Sequence, residues 1–304
     1  MDNPLRSTPF GVMLTAMITP FNADGSQNLE GAQELAAHLV DNLKHDGIVV
    51  NGTTGESSTK SDAEDLALLK AVLEAVGNRA TVIAGIGTND TAHSISSAKA
   101  AARSGAHALM AAAPYYNRPP QSGLLAHFTA VADATDLPLM TYDIPRRTGV
   151  AIETETMVRL ADHPRIVANK DAKGDLEASQ WVMARTDLAW YSGEDSLNLP
   201  LLALGASGMV SVAGHLVGDR LRDMADALWS GDISRAHALN VGMLPVYTGI
   251  FRTQGAILTK AALRLQGLPS GPVRLPLVEA TTAEIDQLIK DLTAGGVSVT
   301  HVRP

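Results

Sequence analysis

The stretch "RIVANKDAKGDL", from Arg165, ends an apolar run on a lysine, Lys170. At period two, Ile166, Ala168 and Lys170 fall on one strand face, which aims an ammonium where aliphatic side chains point. A charge facing a core is costly unless it is paired, neutralised or chemically used. One reading is that Lys170 snorkels out at the rim. The other is chemical, because a neutral amine attacks a ketone and the imine formed is an electron sink for carbanion chemistry. An ordinary lysine is neutral to roughly one part in a thousand at pH 7, and burial raises that fraction. Imine chemistry on a keto acid also requires a proton carrier and an anion-holding site. Tyr142 in "TYDIPRRTG" offers the first, and the glycine-flanked hydroxyls of Thr53 and Thr54 in "NGTTGES" offer the second.

These residues need a frame. Eight short apolar runs alternate with amphipathic stretches: "VMLTAMITPF" from Val12, "GIVVNG" from Gly47, "TVIAGIG" from Thr81, "HALMAAAP" from His107, "LPLMTYDIP" from Leu137, "RIVANKDA" from Arg165, "LAWYSGED" from Leu188 and "ASGMVSV" from Ala206. That alternation predicts an α/β fold, a (β/α)8 TIM barrel, in preference to an open doubly wound sheet. The first run leads into "TPFNADG" and no glycine fingerprint follows it. After Val212 the strand signal stops, so the expected division is a barrel with its site over 1–215 and a helical carboxy-terminal extension over 216–304. Function in such barrels gathers at the carboxyl ends of the strands. Thr53, Thr54, Tyr115, Tyr116, Tyr142, Arg147, Lys170 and "SGED" all fall there. Taken singly, each has a plain alternative: a βα turn, packing tyrosines, a solvated arginine rim.

Composition removes other classes. The 304 residues are 45% hydrophobic and 18% charged with only 4% aromatics, which suits helix-on-sheet packing. A net charge of −8 without a basic run argues against nucleic acid. The absence of cysteine excludes disulfides and thiolate chemistry. None of the nine histidines forms an H-x-H or H-x-x-x-H pair, which disfavours a metal-dependent barrel hydrolase. No apolar signal core opens "MDNPLRSTPFG" and no run is long enough for a membrane span, so a cytoplasmic protein is expected. A non-catalytic binding barrel would form no imine.

"GTTGES", "PYYNRP", "YDIPRRTG" and "KDAKGD", in this order and spacing, resemble the dihydrodipicolinate synthase family, one of the pyruvate-dependent class I aldolases that include N-acetylneuraminate lyase. The likeness runs from about Gly11 to Val212 and more loosely through the helical tail. It implies condensation of pyruvate with L-aspartate 4-semialdehyde to 4-hydroxy-tetrahydrodipicolinate, in lysine and diaminopimelate biosynthesis, with no cofactor or metal. It makes Lys170 the Schiff-base lysine, and Thr54 the holder of the pyruvate carboxylate. Thr53, Tyr142 and Tyr116 become the proton relay, Tyr116 coming from a neighbouring subunit. Arg147 would receive the second substrate's carboxylate, and the carbonyls of Gly193 and Val210 would line the site. A homotetramer built as two tight dimers is implied. The alternative within the same group is a 2-keto-3-deoxy sugar acid aldolase or N-acetylneuraminate-type lyase, which Arg147 disfavours because a polyol chain needs hydroxyl partners.

Asp143 and Asn169 depart from the family pattern, which often has asparagine and an apolar residue there. A third departure concerns feedback by lysine. The carboxylate that would hold the ligand's ammonium is replaced by His93, and Asp62 and Asp65 occupy the usual histidine positions. Ser57, Ser58, Asn89 and Tyr115 stay compatible, so weak or absent lysine inhibition is expected.

Overall fold

The computed structural model describes residues 6–300; Met1–Leu5, part of the stretch read above for a signal, and residues 301–304 lie outside it. The strands are β1 (Met13–Ala16), β2 (Gly47–Val50), β3 (Thr81–Gly85), β4 (Ala108–Ala112), β5 (Leu139–Asp143), β6 (Ile166–Asp171), β7 (Ala189–Ser192) and β8 (Gly208–Ser211). All pair in parallel, in chain order, and β8 returns to β1 to close the barrel. Each lies inside one of the eight apolar runs. The runs read as continuous rather than alternating because both faces of every strand are covered. The interior is filled by Leu14, Val49, Ile83, Met110, Met140, Ala168, Tyr191 and Val210 among others. A second, larger apolar layer lies between the strands and the helices.

The helices are α1 (Leu29–Ala37), α2 (Asp62–Val76), α3 (Thr91–Arg103), α4 (Gln121–Ala132), the single turn α5 (Pro145–Thr148), α6 (Thr154–Ala161), α7 (Leu176–Arg185), α8 (Asn198–Ala203), α9 (Gly214–Trp229), α10 (Ile233–Ile250), α11 (Gly255–Leu265) and α12 (Thr282–Ala294). Ser61 and Glu64 close a capping box at the start of α2. Residues 230–232 form the turn between α9 and α10, where Gly231 takes φ +85°. Helix α11 is buried from Gly255 to Leu263, so it is a core helix rather than a surface one.

One expectation is corrected. Leu139 pairs with Ile166, but Met140 pairs with Ala168, so Val167 is an extra residue in β6. This bulge moves Ile166 to the helix-facing layer and leaves Val167 packed against the interior. The inward face is therefore Ala168, Lys170 and Ala172, without Ile166. The bulge sits directly before Ala168 and leaves the inward direction of Lys170 intact.

Candidate active site

Lys170 is 3% exposed. It pairs with Tyr142 on β5 and with Tyr191 on β7, and its Nζ stands 4.3 Å from the centroid of the Tyr142 ring. Gly193 makes the room: a Cβ there would lie 2.9 Å from both Cγ and Cε of Lys170. Any side chain at 193 would push the lysine off its place. Burial lowers the Lys170 pKa to about 8, with Asp195 and Glu194 opposing and Arg147 assisting.

Asp195 is itself buried and fully engaged. It accepts from the backbone N–H groups of Val212 (3.1 Å) and Ala213 (2.8 Å), from Asn198 Nδ2 (3.1 Å) and from the Ser211 hydroxyl. This ties the end of β7 to the end of β8 and fixes one negative charge behind the amine. Asp171, next to Lys170, accepts from Ser179 Oγ (2.5 Å), Trp190 Nε1 (3.1 Å) and the Lys173 N–H (2.9 Å). These bonds immobilise the strand that carries the lysine. In the sequence the only signal for Asp195 is the second acid of "SGED", and Asp171 carries none beyond its place after Lys170.

Burial raises the Tyr142 pKa, so its phenol keeps its proton. A cavity of about 490 Å³ joins Tyr142, Thr53, Arg147, Tyr115 and Ile144. Its floor includes Met110 and Ala112 of β4. Thr53 and Thr54 sit in a tight turn after β2, in which the Gly55 N–H donates to Gly52 O (3.1 Å) and the Glu56 N–H to Thr53 O (3.1 Å). Thr54 is buried and Thr53 half-buried. Arg147 is exposed at the cavity mouth on α5, which Gly149 ends in the left-handed conformation (φ +77°). Beside it, Arg146 pairs with Glu194 and so links the β5 and β7 loops across the end of β6.

Of the eight expected residues, Thr53, Tyr142 and Arg147 line this cavity, whereas Lys170, Thr54, Gly193, Val210 and Tyr116 do not. Val210 is fully buried inside the barrel, opposite Leu14. Tyr116 is 89% exposed and holds φ +72°, a conformation uncommon for a non-glycine residue. Within one chain its side chain is directed away from Lys170's enclosure into solvent. Asp143, at the end of β5, is buried and accepts from the Ile152 N–H (3.1 Å) with Lys173 Nζ at 3.7 Å. Asn169 faces the helix layer and accepts from Thr141 Oγ1 (2.8 Å). Among the described residues no cluster of three or more His, Cys, Asp or Glu side chains forms a metal site.

A 4-hydroxy-tetrahydrodipicolinate synthase of Streptomyces coelicolor is 62% identical over 292 residues, 96% of this chain and 97% of that protein. The enzyme of the same name from Acidothermus cellulolyticus is 60% identical over 296 residues, 97% of this chain and 96% of its own. Among solved structures, a Cyanidioschyzon merolae protein described as DHDPS with lysine bound superposes with a TM-score of 0.93. It is 41% identical and covers 95% of this chain and 99% of its own. The model of the dihydrodipicolinate synthetase family matches residues 9–295, and on that span and those relatives this chain belongs to that family.

Proposed function

We propose that this chain condenses pyruvate with L-aspartate 4-semialdehyde to 4-hydroxy-tetrahydrodipicolinate through an imine on Lys170. The observation that carries the reading is a buried amine, its pKa drawn down to about 8, with its nitrogen 4.3 Å from the centroid of the Tyr142 ring. The Lys170 amine attacks C2 of pyruvate, and the carbinolamine loses water as a proton reaches its hydroxyl from Tyr142. Loss of a methyl proton from the imine gives the enamine, whose carbon bonds to the aldehyde carbon of the second substrate. The alkoxide takes a proton from the relay. The substrate's own amine then attacks the imine carbon, closes the ring and frees Lys170.

Thr54 holds the pyruvate carboxylate in this scheme. Thr53 and Tyr142 carry protons, together with Tyr116 supplied by a neighbouring copy of the chain. Arg147 receives the carboxylate of the aldehyde, and the Gly193 and Val210 carbonyls line the bound substrate. The scheme calls for no metal or cofactor. A homotetramer of two tight dimers in the cytoplasm belongs to the same reading, as does the division into barrel (1–215) and helical extension (216–304). Among the described residues no helix is long and apolar enough to cross a membrane.

Borohydride reduction in the presence of pyruvate, followed by peptide mass mapping, tests the proposal. The peptide containing Lys170 is expected to gain a reduced three-carbon adduct. An adduct elsewhere, or none, overturns the reading. Pyruvate consumption with aspartate semialdehyde but not with a polyhydroxy aldehyde separates this substrate pair from that of a sugar acid aldolase.

A further inference from the structure

Far from Lys170 in sequence, α11 carries a second buried lysine. Lys260 is fully buried in a helix that is itself buried from Gly255 to Leu263. Its Nζ donates to Glu56 Oε1 (2.5 Å) and to Pro272 O (2.7 Å), and it lies 4.1 Å from the centroid of the Phe21 ring. The other oxygen, Oε2, accepts from the Arg274 N–H (2.9 Å). Both oxygens of Glu56 are therefore held by the carboxy-terminal region.

Glu56 closes the "GTTGE" turn in the left-handed conformation, φ +55° and ψ +38°. That backbone is unfavourable for a residue with a Cβ and persists only where its surroundings hold it. Three further bonds grip the same turn. Its N–H donates to Thr53 O, Thr19 Oγ1 donates to Gly55 O (2.7 Å), and Arg274 Nη1 donates to Thr59 O (2.8 Å). A displacement of Glu56 passes through one hydrogen bond to Thr53.

Buried ion pairs give little net stability relative to well-packed apolar side chains of similar size. What they do supply is direction. An apolar contact between α11 and this turn would tolerate sliding, whereas an ammonium clasped by a carboxylate and a carbonyl does not.

We propose that the Glu56–Lys260 pair is a positioning device for pyruvate: it fixes the Thr53–Thr54 turn that receives the substrate carboxylate, making the carboxy-terminal helices part of the catalytic unit. The proposal rests on the reading of Thr54 given above. Neither residue touches the reacting atoms; both act through the turn.

The test uses the full chain with both charges removed together, Glu56→Gln/Lys260→Met, so that no buried charge is left unpaired. The expected result is a rise of about tenfold in the pyruvate concentration that half-saturates borohydride trapping on Lys170. The KM for the aldehyde and the pH dependence of trapping should stay as in the parent. The single variant Glu56→Gln, which keeps one oxygen for the ammonium, should move pyruvate saturation the same way by about threefold and serves if the double variant does not fold. Unchanged pyruvate saturation in either folded variant overturns the proposal. Thr54→Ala in parallel distinguishes the failures: if it too leaves pyruvate saturation unchanged, the assignment of Thr54 is at fault.

Discussion

Lys170 and Tyr142 are direct partners in the β5–β6 ladder, and the amine lies against the face of the phenol ring. Parallel register alone sets this relationship. Residues opposite each other on neighbouring inward-facing positions share one enclosure, so the amine and the Tyr142 ring lose water together.

With a pKa of about 8, about a tenth of Lys170 is neutral at pH 7, on the order of a hundredfold more than for an ordinary lysine. The rate of imine trapping at low pyruvate is therefore expected to climb as pH rises and to level off above about 8. A midpoint near 10 would mean that burial does not activate the amine. Lys170→Arg should abolish trapping at every pH, because a guanidinium stays protonated.

Arg147→Ala should raise the KM for aspartate semialdehyde much more than that for pyruvate. One charge-assisted contact is on the order of 1.5–3 kcal/mol, roughly ten- to a hundredfold. Steady-state kinetics with each substrate varied in turn decide this. Equal effects on both would make Arg147 structural.

Tyr116, exposed on its own chain, is proposed to act in a neighbouring one. Tyr116→Phe and Lys170→Arg chains, each inactive alone, should regain activity when mixed, since a hybrid dimer contains one intact site. Verified hybrids without activity would refute a shared site.

L-Lysine should inhibit weakly or not at all. The two aspartates able to replace the missing carboxylate are already engaged: Asp62 with His93 at 2.9 Å, and Asp65 with the buried Lys60 at 2.9 Å. Losing a charge-assisted partner for the ligand's ammonium costs on the order of 1.5–3 kcal/mol. Initial rates with added L-lysine check this, and strong inhibition below millimolar concentration would show that another carboxylate takes the role.

Asp143 gives a stability prediction with a definite sign. Burial raises its pKa to about 6, with Lys173 opposing and Asp171 reinforcing the shift. Between the ordinary value near 4 and about 6, the native state holds a proton that the unfolded state has lost. Stability therefore falls as pH rises through that window, by on the order of 2–3 kcal/mol. Asp143→Asn keeps an acceptor for the Ile152 N–H and removes the ionisation, so its melting temperature should exceed the parent's at pH 7 and match it near pH 4. Parallel thermal melts at the two pH values measure the difference.

Local pattern determined much of this protein. Apolar runs of four to six residues spaced by amphipathic stretches specify strands covered on both faces, and eight in succession specify closure. The same alternation places "GTTGE", "YDIPRR", "NKD" and "SGED" at one rim, because each motif directly follows or ends its strand. What the chain pattern does not contain is anything set by contact between distant segments. The Val167 bulge depends on register against β5, which removes Ile166 from the inward face while keeping Lys170 on it. The space for Lys170 depends on Gly193, and its electrostatic balance on Asp195, from a strand that becomes a neighbour only by pairing. Glu56 and Lys260 are 204 residues apart, and a lysine in an apolar helix announces only that some partner must exist. Which carboxylate answers it is decided when α11 docks under the β2 turn, because directional pairing is a property of three-dimensional approach and period is a property of the chain.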